Sequence, residues 1–199
     1  MQQELHIKDS TRGRFAVRFS IPLDIYDGFL APGEQTGLAA FTHFFDRDKT
    51  LEYFTAADGF GELSYRRFEQ GERVFVRIKG DISDLPKALA SGKLGDIRLR
   101  PLGDGASEIR IVCESNRTGS GPADGETRPL LKFPDEAAEK ELLRSLFAGM
   151  QLVLTITVPN EIIASTGARA NGQTVQWTFD PGEDDAFLDK LPEIRVTYR

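Results

Sequence analysis

Cysteine is nearly absent, with Cys113 alone among 199 residues. A lone thiol forms no intramolecular disulfide and no thiolate zinc cluster. Histidine is almost as scarce: His6 and His43 are the pair. No His-x-x-x-His spacing, acid-rich calcium loop or two-histidine-one-carboxylate set accompanies them. No apolar run approaches the roughly 20 residues of a bilayer-spanning helix, and no signal peptide is written into the start. An excess of basic residues is missing too. Net charge is −6 and the pI about 5.1, which argues against nucleic acid as a partner, since that needs a basic face to displace counterions.

What is present is enough apolar material for a substantial core. Hydrophobic residues are 40% of the chain and charged residues 28%, with 14 Phe against one Trp and two Met. Aromatic packing should therefore carry much of the burial. The length suits a single domain over residues 1–199.

Alternation of apolar and polar residues dominates. Phe15, Val17, Phe19 and Ile21 alternate with Arg14, Ala16, Arg18 and Ser20, which puts the arginines on the opposite sheet face. With Glu4–Lys8 and the turn Asp9–Gly13 this predicts an opening hairpin, closed by Pro22. A second hairpin spans Gly61 to Gly80. Leu63, Tyr65 and Arg67 share one face, Val74, Val76 and Ile78 return, and Gln70-Gly71 makes the turn. Further strands are expected at Ile97–Leu102, Glu108–Glu114, Gln151–Val158, Thr174–Phe179 and Ile194–Tyr198. Asn171-Gly172 is the strongest short turn signal.

Helices are fewer. Gly28, Pro32 and Gly33 mark a loop. After it Leu38, Phe41, Phe44 and Phe45 fall on one side of a predicted helix from Glu34 to Phe45. A short helix is expected over Lys49 to Ala57, with a strand at Leu51-Glu-Tyr-Phe54 as the alternative. Another starts at Asp84-Leu-Pro-Lys, with Asp84 as N-cap and Gly92 as stop. The clearest runs from Asp135 to Gly149, carrying Leu142, Leu143, Leu146 and Phe147. Between them, about residues 116–126, Gly, Ser, Thr and Pro predict a flexible loop. The pattern predicts an α+β fold: a mainly antiparallel twisted sheet, curling toward a barrel, with three to four helices packed on one side.

Catalytic signatures are missing. Cys113 lies in a predicted strand, where it is a small core residue. No serine sits in a Gly-x-Ser-x-Gly elbow. Gly59-Phe-Gly61, Gly103-Asp-Gly105 and Gly119-Ser-Gly121 are turns, because none joins a strand to a helix in the dinucleotide pattern. His43 has Asp46 and Asp48 nearby, but a solvated helix end explains them without a metal. Acidic pairs such as Asp184-Asp185, and Glu139 with Glu141, are expected by chance among 31 acids. Trp177 on its alternating strand is expected in the core. No cofactor is expected, and no catalytic residue. One candidate ligand-binding group remains: Phe41, Phe44, Phe45, Tyr53 and Phe54, an aromatic stripe that either covers the sheet or lines a cleft for acyl chains.

The run Leu146-Phe-Ala-Gly-Met-Gln-Leu-Val-Leu-Thr-Ile-Thr-Val-Pro-Asn-Glu-Ile-Ile-Ala-Ser-Thr166, followed by Asn171-Gly-Gln-Thr-Val-Gln-Trp-Thr-Phe179, resembles the LppM-like bacterial lipoprotein domains. Those have a helix feeding a long strand that ends in Pro-Gly, then a strand with Val-x-Trp. Asn160 stands here in place of that Gly, and Ser165-Thr166 where an Asn is expected. The resemblance implies an exported, periplasmic or surface lipoprotein of the cell envelope, anchored in the membrane through a lipidated Cys upstream of residue 2. It also implies a binding or interaction module with a lipid or glycolipid ligand. The abrupt start Met1-Gln-Gln-Glu-Leu fits such a leader having been removed. A hydrolytic enzyme using carboxylates is the alternative; it requires convergent acids with shifted pKa values in a polar cleft.

Overall fold

A computed structural model describes residues 1–30, 43–111, 151–180, 182–183 and 193–199. Phe41, Cys113, the 116–126 loop, the Asp135–Gly149 helix and Asp184-Asp185 lie outside these residues, as does most of the helix expected from Glu34.

Alternation forms the strands where it was strongest. β1 (Gln2–Ile7) and β2 (Gly13–Pro22) pair antiparallel, Leu5 opposite Phe15. Their turn is held by Asp9, whose Oδ1 accepts from the Thr11 and Arg12 backbone N–H groups, both at 2.9 Å. β3 (Phe60–Gln70) and β4 (Arg73–Ile82) form the second hairpin, and β4 also pairs with β2. β7 (Leu152–Thr157) and β10 (Thr174–Phe179) pair antiparallel, and β9 (Ala168–Arg169) borders β10. The seven-stranded sheet has the order β3-β4-β2-β1-β7-β10-β9. A four-stranded sheet, β5-β6-β11-β8, is built from β5 (Ile97–Pro101), β6 (Ser107–Ile111), β11 (Ile194–Tyr198) and β8 (Ile162–Ser165).

The α+β class stands, with sheet dominant. Two features of the large sheet differ from expectation. β1 and β7 run parallel, Leu5 beside Ile156, so the large sheet is mixed. Local alternation is blind to this, because the two strands are far apart in sequence. Nor do the described strands close into a barrel: among them β3 and β9 are the two edges of one sheet, and β5 and β8 of the other.

Three α-helices occur among the described residues: α1 (Leu23–Leu30), α2 (Arg47–Tyr53) and α3 (Leu85–Ala90). α1 was not expected, since Pro22 reads as a strand end and Gly28 as a loop. Gly costs about 1 kcal/mol inside a helix, and here Tyr26, 8% exposed, holds the segment to the core. α3 has the expected caps: Asp84 Oδ1 accepts from the Lys87 N–H at 3.1 Å, and Gly92 takes φ +71°. Gly59 at φ +87° packs its backbone on the Asp84 carbonyl, where a Cβ has no room.

The inner face of the large sheet carries Leu5, Phe15, Val74, Val76, Ile78, Leu154, Ile156, Val175 and Trp177, all buried. They join one core cluster with Ile97, Ile109, Val196 and Tyr198 of the smaller sheet and with Leu85, Ala88 and Leu89 of α3. Trp177 is 5% exposed, as its alternation predicts. The chain passes between the sheets at Thr166-Gly167. Thr166 Oγ1 accepts from Trp177 Nε1 at 3.2 Å and from the Arg195 N–H at 3.0 Å, while a Cβ on Gly167 would lie 2.5 Å from the indole.

Candidate functional site

Asp46 begins the site. Its carboxylate accepts from the Asp48 and Lys49 N–H groups at 2.9 and 3.1 Å, capping α2. The Lys49 bond, then the Asp48 bond, hold this carboxyl below its ordinary pKa. Thr50, fully buried one turn on, donates through Oγ1 to the Asp46 carbonyl at 2.7 Å. The helix therefore ends with Tyr53 and Phe54 against the sheet.

A 3-10 turn, His43–Phe45, lies on the other side of Asp46. It is tied to the edge strand β3. The Tyr65 hydroxyl donates to the Phe44 carbonyl at 3.1 Å, and Arg67 Nη1 donates to the Phe45 carbonyl at 3.1 Å and to the Tyr26 hydroxyl at 2.7 Å. Burial pushes the Tyr65 phenol pKa up.

Four of the five candidate residues thus come together, while Phe41 is outside the described residues. Ring centroids are 5.4 Å apart for Phe44–Tyr53, 4.9 Å for Tyr53–Phe54 and 6.4 Å for Phe44–Phe54. Phe45 joins through Phe19, at 5.2 Å, which also meets Phe44 at 6.2 Å. Edge-on and tilted contacts of this kind are the favoured aromatic geometry. The layer has depth. Phe54, 4% exposed, is buried over Phe15 and Phe60, and Phe45, 6% exposed, against Phe19 and Tyr26, whereas Phe44 and Tyr53 are half-buried. Phe15, Phe19, Phe60 and Tyr26 complete the group. The alternation of β2 had signalled the first two as inward, though not their partners.

His43 is not a solvated helix end. It is half-buried, with its ring 3.8 Å from that of Phe44 and 5.1 Å from that of Tyr53, and its buried Nε2 has no hydrogen-bond partner among the described residues. The Asp46 carboxylate is occupied in capping, and no three His, Cys, Asp or Glu side chains among the described residues gather as metal ligands. The far side of the rim is fastened by Lys93. Its Nζ donates to the Asp58 carboxylate at 2.6 Å and to the Tyr53 carbonyl, and lies 4.9 Å from the Tyr53 ring centroid.

Among the described residues the carboxyls with displaced pKa values, Asp9, Asp46 and Asp58, are displaced downward. Lys93 is the largest cause at Asp58, followed by the Thr55 hydroxyl. Two hollows, of about 410 and 370 Å³, open on the other face of the sheet, and none of the aromatic candidates lines either. No helix among the described residues is long and apolar enough to cross a membrane.

Among the solved structures to which the chain is similar is a mycobacterial domain. That domain is the folded domain of Mycobacterium tuberculosis LppM, determined by NMR; the TM-score is 0.41 at 14% sequence identity, over 100% of this chain and 87% of that one. It is of the same domain type that the run from Leu146 to Phe179 resembles. No protein-family model matches the chain, and no curated protein matches it.

Proposed function

We propose that this chain is the extracytoplasmic part of a bacterial envelope lipoprotein and acts as a binding module for a lipidic ligand, whose acyl chain lies along Phe44 and Tyr53. The layering of the aromatic group carries this reading. Phe45 and Phe54 form a buried floor, and Phe44 and Tyr53 are left half-buried above it. A rim of rings supplies apolar contact, bordered by the Lys93–Asp58 ion pair. His43 Nε2, buried and without a hydrogen-bond partner among the described residues, lies beside the Phe44 ring.

The test is uptake of a fluorescent fatty acid by the wild-type chain and by Phe44→Ser. The expected result is uptake by the wild type, with loss in the variant and only a small change in melting temperature. A sharp drop in melting temperature with uptake intact means that Phe44 merely covers the sheet. No uptake by the wild type, and no co-purified lipid by mass spectrometry, ends the proposal. The envelope location is tested separately, by whether the gene encodes a basic start, an apolar stretch and a Cys immediately upstream of residue 2.

A further inference from the structure

The outer face of β2, β4 and β3 places arginines side by side. Arg18 on β2 lies directly opposite Arg77 on β4, and Arg77 directly opposite Arg66 on β3. Neighbouring strands are about 4.8 Å apart, so the three cations form one straight row across the sheet. Lys79 continues the basic face one step along β4 and Arg73 two steps the other way. All five are exposed. Among the described residues no carboxylate lies within ion-pair distance of Arg18, Arg66, Arg77 or Lys79, whereas Arg14 on the same face is paired with Asp81 at 2.7 Å. Like charges placed directly opposite one another destabilise a sheet. The row is therefore a liability to the folded chain alone, on a protein whose net charge is −6.

Beside the row is an apolar element. Phe68 and Phe75 are cross-strand partners with rings stacked at 5.2 Å and 9°, and both are half-buried. Arg66 lies over Phe68 at 5.1 Å and Arg18 over Phe75 at 5.5 Å. Planar guanidiniums next to an aromatic pair suit a surface that is anionic outside and apolar just beneath. Arginine forks bind phosphate oxygens in pairs, and phenylalanine side chains on a membrane-binding face bury at the boundary of headgroups and acyl chains.

We propose that this face docks on a bilayer carrying anionic phospholipids, with Arg18, Arg77 and Arg66 on headgroup phosphates and Phe68–Phe75 at the interface. Gln2 is the register partner of Arg18, and Met1 lines a common hollow of about 370 Å³ with Arg18, Arg73 and Phe75. An anchor preceding Met1 would thus leave the domain beside the basic face. This last point rests on the lipoprotein reading; the charge and ring geometry does not. Soluble polyanions are the competing class, but nothing here favours a free strand over a surface: the cations lie flat across three strands, and two rings accompany them.

The test is co-sedimentation of the chain with vesicles of phosphatidylcholine alone or doped with phosphatidylglycerol, at low and high salt. Binding to the doped vesicles, weakened by salt, is expected. A basic residue near such a surface contributes about 1 kcal/mol, so Arg77→Gln should weaken binding about fivefold, and Arg18→Gln/Arg66→Gln/Arg77→Gln should abolish it. Arg77→Lys should retain most of it. The melting temperature of Arg77→Gln should hold or rise, which shows that lost binding is not lost folding. Equal binding to both vesicle types overturns the proposal. So does wild-type binding by Arg77→Gln, or tight capture by heparin with no preference among vesicles. Phe44→Ser should bind vesicles as the wild type does. Fatty-acid uptake without vesicle docking therefore removes this inference alone, and docking without uptake removes only the acyl-chain reading.

Discussion

The two faces of β2, β3 and β4 are made by the same residues in alternation, yet they follow different rules. Inward, Phe15, Val74, Val76 and Ile78 are almost sealed from water, at 0 to 3% exposed, and the aromatic layer of Phe44, Phe45, Tyr53 and Phe54 lies over that side. Outward, Arg18, Arg66 and Arg77 face one another in solvent with no acid between them. The inner face is organised by burial, and each group there improves the fold. The outer row opposes folding slightly. An arrangement that costs stability and persists on the surface is better explained by what it meets than by what it holds together.

The largest effects should come from the inner face. Trp177→Ala should cost about 3–5 kcal/mol in chemical denaturation, because it empties a buried site and leaves Thr166 Oγ1 without its indole donor. A loss below about 1 kcal/mol would mean that the strand presents its other face inward. Phe54→Ala should fall in the same range of about 3–5 kcal/mol, since that ring is 4% exposed and touches Phe15, Tyr53 and Phe60. Phe44→Ser, at the half-buried rim, should cost only about 1–2 kcal/mol. If these two variants cost the same, floor and rim are one layer and the proposed ligand surface disappears.

A smaller effect, seen only in acid, separates the rim from the rest. Asp9, Asp46 and Asp58 ionise more readily in the folded chain than in the unfolded one. Their contribution is complete above the unfolded value of about 4 and is lost as pH falls through the lowered folded values. The melting temperature should therefore decline on acidification below about pH 4. Lys93→Met should flatten that decline by removing the partner of Asp58, and parallel curves for the two proteins would show that the Lys93–Asp58 pair contributes nothing. Arg77→Gln should be the smallest change, between no effect and about 1 kcal/mol of stabilisation. A clear destabilisation would mean that the arginine row supports the sheet after all.

Much of the local structure was legible. The hairpins β1–β2 and β3–β4, the Asp84 cap, the short helix after Asp46 and the burial of Trp177 all follow from signals within a dozen residues: period-two alternation, a side-chain oxygen before a helix, a glycine at its end. α1 was missed because Pro22 and Gly28 are genuine breakers, overruled by the burial of Tyr26. The short strands β8 and β9 were missed because so few residues carry no period. In the candidate site the clustering of Phe44, Phe45, Tyr53 and Phe54 could be foreseen, but their ranking into floor and rim could not. That ranking depends on Phe15, Phe19 and Phe60, which reach the same place from other strands.

Sequence alone determined the strand-rich α+β class, the inward and outward residues of each long strand, the turns, and an aromatic stripe between Phe44 and Phe54. Each of these is set by neighbours in the chain, so it survives without knowledge of the rest. The tertiary structure decided the parallel meeting of β1 with β7, the opening of the large sheet at β3 and β9, the burial of His43 among rings, and the alignment of Arg18, Arg77 and Arg66. These depend on pairing register between distant segments. A net charge of −6 hides such a row completely, because charge is a sum over the chain, whereas a binding face is a matter of which three strands lie side by side.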